Sequence, residues 1–420
     1  MGNALGGPED PVTAKCTERG KSYDQKITFA ASGMKGLRAT MEDKHLYTSE
    51  IKIAGVERAL TDHSLFAVFD GHGGDFTSGY AAEHFLDILS RQPEMKKYAE
   101  LPKIGNESRS DVPGIELLRK ALDGVFSELD VQLREVQQKK NDAIDSQPPQ
   151  DPNDESLLAG NGQMYEHSGS TCVVVLLTPS HVIGCNAGDS RAVLRRAGGT
   201  LPLSFDHKPS EVSEKDRITE AGGFVKARRV DGDLAVSRAL GDFVYKTNDN
   251  MPANKQKVIP NPDFVLYPRC DEEDEFIILA CDGIWDVASS KQCSDFVQTL
   301  LLEGESDLGV ICEEALDTCL ERNSKDNMTI LIVGLPGMKM ASSSLQIQNA
   351  MFGRRAMRHS IINFQPNFLS RNLGIMSASE ATKGEPISPS SSASQSSSDS
   401  RDNGFASHLK NTVAQPMVAA

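Results

Sequence analysis

Leu65-Phe66-Ala67-Val68-Phe69-Asp70-Gly71-His72-Gly73-Gly74 begins with five consecutive apolar side chains and stops on a carboxylate followed by glycine. Successive side chains of a strand point to opposite faces, so a strand can be apolar at every position only when both faces are covered. Residues 65–69 therefore predict a buried strand, with Asp70 delivered at the rim of the core. The glycine behind it lets the chain turn away without steric cost. Residues 276–281 end in the same manner, in Asp282-Gly283, and Asp326-Asn327 immediately precedes the apolar run 328–333.

Runs 65–69, 171–177, 276–281 and 329–333 are all continuously apolar, which places each in a sheet covered on both faces. Helices are available for the cover. Ile115, Leu118, Leu122, Val125, Leu129 and Leu133 recur at helical spacing, as do Val310, Ile311, Ala315, Cys319 and Leu320. Ser289-x-x-Gln292 has the form of a capping box ahead of Phe296, Val297, Leu300 and Leu301. The strands do not alternate regularly with helices, so the expected fold is an α+β sandwich, two packed sheets flanked by helices. Residues 182–186 and 191–194 flank Ala187-Gly188-Asp189-Ser190 and predict a hairpin whose turn exposes Asp189.

Residues 1–22 read as an irregular lead-in, 23–336 as the folded body and the stretch near 139–166 as a surface insertion. Residues 337–420 read as a tail, basic and then serine-rich, too poor in apolar surface at its end to fold. Arg354-Arg355-x-x-Arg358 within it has the charge to meet an acidic partner, a membrane surface or the acidic body itself.

The net charge of −15 is uneven, with 36 basic and 55 acidic residues up to Pro336 and 8 basic and 4 acidic beyond it. An acidic body argues against a nucleic-acid partner, because duplex affinity comes largely from cationic side chains on phosphates. The eight cysteines form no C-x-x-C pair and read as reduced core residues, which, with the lack of a hydrophobic leader, predicts a cytoplasmic or nuclear protein. Met1-Gly2 raises N-myristoylation and membrane association, although Gly6 stands where the motif wants Ser or Thr. A monomer is expected.

Asp70, Asp282, Asp326 and the nearby pair Glu42-Asp43 converging on one cleft would repel by roughly 4 kcal/mol per close pair at an effective dielectric near 20. A hard divalent cation, Mg²⁺ or Mn²⁺, relieves that. Asp70 bridging two such ions would hold them about 3.5–4 Å apart with a water or hydroxide between them, a nucleophile suited to a phosphate ester. His72 is placed to protonate the leaving alkoxide, and Arg38 offers a planar fork for two phosphate oxygens. No G-x-S-x-G elbow and no G-x-x-x-x-G-K-[ST] loop is present, which speaks against covalent serine catalysis.

Eight segments in order resemble the metal-dependent PPM (type 2C) serine/threonine protein phosphatases. They are Arg38-x-x-x-Glu42-Asp43, Asp70-Gly71-His72-Gly73-Gly74, Ser168-Gly169-Ser170-Thr171, Gly188-Asp189-Ser190-Arg191, Asp206-His207-Lys208-Pro209, Leu234-x-x-Ser237-Arg238-x-x-Gly241-Asp242, Asp282-Gly283-x-Trp285-Asp286 and Asp326-Asn327-Met328. The resemblance spans about residues 23–335 and implies a phosphatase domain over 23–336. It implies a central β-sandwich of two mostly antiparallel sheets with helices on both sides, acting on phosphoserine and phosphothreonine in proteins. It also implies that Asp70 bridges two Mg²⁺ or Mn²⁺ ions, that the Gly71 carbonyl completes one shell, and that Asp282 and Asp326 bind the other ion. By the same resemblance Glu42 and Asp43 act through metal-bound waters, Arg38 binds phosphate, and His72 is the general acid. Asp189, Asp282 and Asp286 would form a weaker third-metal site.

Two rival readings are weaker. A two-metal nuclease or phosphodiesterase would use similar carboxylates, but the acidic body and the lack of interleaved aromatic and basic residues oppose it. A scaffold that had lost its site would not keep Asp70, His72, Asp282 and Asp326 together. His207 reads as structural, Trp285 as packing, Arg238 and Asp242 as a buried structural pair, and Arg228-Arg229 as either a phosphate contact or a partner for acids.

Overall fold

The structure is a computed structural model that describes residues 10–24, 26–101, 112–145 and 166–342. In chain order the main strands are β1 (Val12–Lys21), β2 (Thr28–Gly36), β3 (Lys44–Thr48), β4 (Ser64–Phe69), β5 (Cys172–Leu177) and β6 (His181–Ala187). They continue with β7 (Arg191–Arg196), β8 (Gly199–Pro202), β9 (Asp263–Pro268), β10 (Asp274–Ala280) and β11 (Met328–Gly334). A six-stranded sheet has the order β1-β2-β11-β10-β7-β8 and a five-stranded sheet the order β9-β6-β5-β4-β3. Every neighbouring pair in both is antiparallel.

The helices are α1 (Phe76–Arg91), α2 (Pro93–Glu100), α3 (Val112–Asp145), α4 (Val212–Glu220), α5 (Asp282–Trp285), α6 (Ser290–Leu302) and α7 (Leu308–Glu321). Leu65, Ala67 and Phe69 of β4 share a core with Phe85 and Ile88 of α1 and Leu118, Leu122 and Phe126 of α3. The intervening Phe66 and Val68 face the other sheet, meeting Ile277 and Leu279 of β10 and Leu331 of β11. Ile278 and Ala280 turn outward again, onto Val297 and Leu301 of α6 and Ile311 and Ala315 of α7. Odd and even residues of one strand thus enter different cores, the physical reason the runs are apolar throughout. Each such Val, Leu, Ile or Phe side chain contributes about 1.5–3 kcal/mol on burial. The expected α+β sandwich with helices on both sides is the fold observed.

Three local expectations need correction. The irregular lead-in over 1–22 does not hold for Val12–Lys21, which is edge strand β1, in register with β2 from Lys15↔Met34 to Lys21↔Thr28. It is short of large apolar side chains, and ion pairs Lys15–Asp317 at 2.6 Å and Arg19–Asp307 at 2.8 Å tie it to α7 and its cap. The segments around 188–190 do not form a hairpin: β6 pairs with β5 and β9, whereas β7 pairs with β8 and β10, so the link crosses between sheets. Asp189 is consequently buried instead of exposed. The first part of the proposed insertion, residues 139–145, continues α3; the remainder up to 165, Gly2, and the tail beyond 342 lie outside the described residues. Ser289 caps α6 as expected, its hydroxyl accepting from Gln292 N at 3.2 Å while Ser289 N donates to Gln292 Oε1 at 2.9 Å.

Candidate active site

Both Asp-Gly corners emerge at the same end of the sandwich. Asp70 follows β4, Asp282 follows β10 and opens α5, and the Asp282 backbone N–H lies 3.4 Å from Asp70 Oδ2. Asp189, on the link between the sheets, joins them: Asp70, Asp189 and Asp282 each offer an oxygen within 4.8 Å of the others. Asp43 and the Cys281 thiol make a second such group with Asp70. Asp70 therefore belongs to both clusters.

The glycines after these aspartates serve close approach more than turning. A Cβ on Gly71 would sit 2.4 Å from the Glu42 carbonyl oxygen and 2.7 Å from Ser78 Oγ, and one on Gly283 would sit 2.0 Å from the Asn327 carbonyl. The turn itself falls to Gly73 and Gly74, at φ 69° and 126°.

Electrostatically the clusters are short of cations. Burial pushes the Asp70 carboxyl well above the ordinary carboxylate range, and Asp282, Asp43, Asp189 and Asp326 push it further. Asp282 is raised by burial and by Asp189, Asp326 and Asp286. Burial lifts Asp43 to about 6, against the pull of the nearby Thr329 hydroxyl and Cys281 thiol, and its buried Oδ2 has no hydrogen-bond partner of good geometry among the described residues. An orphaned, buried carboxylate oxygen among other carboxylates is the donor set a hard divalent cation takes. Asp189 is raised by burial, against the pull of Lys208, whose ammonium binds Asp189 Oδ2.

His72 stands beside the aspartates on a short ribbon. Gly71–His72 pairs with Gly169–Ser170, which pairs in turn with Leu240–Gly241. Across that ribbon His72 Nε2 meets Asp242 Oδ2 at 2.8 Å. A side chain on Gly169 would fall between them, its Cβ 2.2 Å from Asp242 Oδ2 and 2.4 Å from His72 Nε2. Burial alone would lower the His72 value, but the charge and hydrogen bond of Asp242 outweigh it and hold the imidazolium above its ordinary 6.5.

The remaining expected residues divide. Arg38 Nη2 binds Asp326 Oδ2, so the residue expected on phosphate and one expected on metal are paired to each other. Burial raises the Asp326 carboxyl, against the pull of Arg38. Glu42 lies at the rim, its Oε2 accepting from Gly74 N at 3.3 Å and its Oε1 from Thr40 Oγ1 at 2.6 Å. Asp286 is exposed and belongs to neither carboxylate cluster. Arg238 and Asp242 are not a pair: Arg238 binds Glu214 and Asp263, each at 2.8 Å, leaving Asp242 to His72. His207 is structural as expected, bridging Gly188 N at 3.2 Å and Asp263 Oδ2 at 3.0 Å.

Two contributors were not singled out by residue type. Asn327 Oδ1 accepts from Glu42 N at 2.8 Å, and its Nδ2 donates to the Lys35 and Thr40 carbonyls at 2.9 Å each, fastening the Arg38–Glu42 loop to the Asp326 corner. Lys208 neutralises Asp189. The available signal was their place inside short motifs next to the acids, not their own chemistry.

The family profile described as Protein phosphatase 2C matches residues 27–328. Protein phosphatase 1A of Bos taurus is 37% identical over 316 residues, covering 75% of this chain and 72% of that protein. Protein phosphatase 2C homolog 2 of Schizosaccharomyces pombe is 39% identical over 340 residues, covering 79% and 78%. The crystal structure of serine-threonine phosphatase 2C from Toxoplasma gondii shares the fold at a TM-score of 0.57 and 23% identity, over 77% of this chain and 99% of that one. The chain thus belongs to the protein phosphatase 2C family of serine/threonine protein phosphatases.

Proposed function

We propose that the chain hydrolyses phosphoserine and phosphothreonine in protein substrates with two Mg²⁺ or Mn²⁺ ions held around Asp70. The observation that carries this is the convergence of two carboxylate clusters on Asp70 with a histidine two residues away, paired to Asp242 at 2.8 Å. Asp70, Asp282, Asp326 and the Gly71 carbonyl would hold the ions, with Glu42 and Asp43 reaching them through water. Asp189 is the residue for a weaker third site, where a cation would compete with Lys208. When bound, the ions neutralise the carboxylates, draw in the phosphate and activate a water for attack on phosphorus.

The chain's own residues then do the rest. Only Nη2 of Arg38 is engaged by Asp326 among the described residues, so Nε and Nη1 remain to grip phosphate oxygens. His72 turns Nε2–H to Asp242, leaving Nδ1–H for the departing seryl or threonyl oxygen as the P–O bond breaks. Asp242 keeps the ring charged and oriented. The eight cysteines are free thiols, which supports a reducing cytosolic or nuclear setting.

The test is phosphate release from a phosphothreonine peptide with Mn²⁺, beside p-nitrophenyl phosphate and a nucleic-acid substrate. The proposal expects metal-dependent release from the peptide, abolished by chelation, and a His72→Ala variant that loses far more on the peptide than on the aryl ester. Cleavage of nucleic acid alone, or equal His72→Ala losses on both phosphomonoesters, overturns it.

A further inference from the structure

Asp242 occupies an unusual backbone conformation. It sits at φ 53° after Gly241 at φ 74°, so a non-glycine residue is held left-handed where its carboxylate meets His72. Such a conformation persists only where the surroundings over-determine it. Part of the restraint comes from the ribbon, through Asp242 N donating to the Ser168 carbonyl at 3.3 Å.

The rest comes from one face of α3. Asp130 Oδ1 accepts from Gly241 N at 2.9 Å and from Lys246 Nζ at 2.6 Å. Lys246 Nζ also donates to the Ala239 carbonyl at 2.9 Å, so one ammonium closes the turn 239–246 from inside. One helical turn on, Arg134 Nη2 donates to the Lys246 carbonyl at 3.2 Å, and its guanidinium lies 4.3 Å from the Phe243 ring centroid. Gln137 Nε2 then reaches the Ser168 carbonyl at 3.2 Å, on the segment that pairs with His72. Asp130, Arg134 and Gln137 stand at i, i+4 and i+7, a polar seam in which Asp130 and Gln137 are buried beside the apolar residues of the helix and Arg134 lies at the exposed rim.

Asp130 and Lys246 are 8% and 6% exposed. A buried ion pair is often no more stabilising than apolar residues of the same volume, so stability alone is a poor account of this one. Position accounts for it better: the pair ties Gly241, immediately before Asp242, and the Ala239 carbonyl to Lys246, four residues after it.

We infer that the Asp130–Lys246 pair is a positioning device for the general acid, clamping the 239–246 turn so that Asp242 meets His72. The inference rests on His72 acting as the acid, as proposed above. Asp130 touches no reacting atom; it acts through Asp242 on His72. Its loss should slow the step that needs a proton and spare the step that does not.

The experiment uses the full chain with Asp130→Ala, Asp130→Asn, the double variant Asp130→Asn/Lys246→Met and His72→Ala. Each is measured for kcat and KM with a phosphothreonine peptide and with p-nitrophenyl phosphate, and for its melting temperature. Asp130→Ala should lower kcat on the peptide about 10- to 100-fold and on the aryl ester less than about threefold, with KM nearly unchanged. Asp130→Asn keeps an acceptor for Gly241 N–H and should recover most of that loss. Should Asp130→Ala fail to fold, the double variant, neutral and similar in volume, should show the same split between substrates. Equal losses on both substrates in whichever variant folds, or an Asp130→Asn as impaired as Asp130→Ala, overturn the inference while leaving a split in His72→Ala intact. If His72→Ala itself shows no split, the general-acid reading falls, and this inference with it.

Discussion

A single methyl group at Gly169 should separate the general acid from its carboxylate. The Cβ of Gly169→Ala would lie 2.2 Å from Asp242 Oδ2 and 2.4 Å from His72 Nε2, where real Cβ contacts do not fall under 3.0 Å. Asp242 must therefore retreat by about 0.8 Å or His72 must swing away, and a hydrogen bond of 2.8 Å does not survive either movement. A hydrogen bond to a charged group is worth about 1.5–3 kcal/mol. If that much is lost at the transition state, kcat on a phosphothreonine peptide falls about 10- to 100-fold, at 1.36 kcal/mol per tenfold. p-Nitrophenyl phosphate, with a leaving group that needs no proton, should lose less than about threefold.

Stability supplies an independent reading on chelated protein. The folded-state His72 value lies above 6.5, so its protonation stabilises the fold fully below that pH. The contribution disappears as pH rises through the folded value. The melting-temperature gap between the native chain and Gly169→Ala should therefore narrow toward alkaline pH. Unchanged turnover on the peptide, or equal losses on both substrates, would refute the reasoning that the dyad delivers the proton.

Asp282→Asn should abolish turnover, yet chelated at pH 7 it should melt above the chelated native chain. A raised folded-state value means the ionised carboxylate destabilises the fold there, and a differential scanning measurement with and without Mg²⁺ checks both directions. Asn327→Ala strands Glu42 N and the Lys35 and Thr40 carbonyls. It should cost about 2–4 kcal/mol in urea unfolding and, by loosening Arg38, raise KM for the peptide. Asp263 is held at about 2, burial being outweighed by His207 and Arg238. Its contribution is present above the unfolded value near 3.8 and lost as pH falls through 2, so Asp263→Asn should be less stable by on the order of 1 kcal/mol at pH 5, after allowance for solvent screening. That difference should close in acid denaturation near pH 2.

Where side chains had one physical reason to exist, the chain was easy to read. The runs at 65–69 and 276–281 are apolar because alternate residues serve different cores, and that alone implies sheets covered on both faces. The Asp-Gly corners stood out because a carboxylate at the end of such a run has nowhere apolar to go. Strand β1 is faint in the sequence because an edge strand held by its ladder and by Arg19 and Lys15 needs few apolar residues. The tight turn at 188–190 has a composition that is the same whether the chain returns to its own sheet or crosses to the next, so a hairpin and a crossover are indistinguishable there in sequence.

By itself the sequence determined the layered fold, the family and the presence of Asp70, His72 and Asp282 at strand ends, because periodicity and short motifs are local properties. Only the tertiary structure decided the partners: Asp242 to His72, Asp326 to Arg38, Lys208 to Asp189, and Asp130 to Lys246. Asp242 lies 170 residues from His72 and Arg38 lies 288 from Asp326, and no local pattern encodes contacts over such separations. Charge pairing inside a protein follows from which corners the sheets bring together, and that geometry belongs to the whole fold.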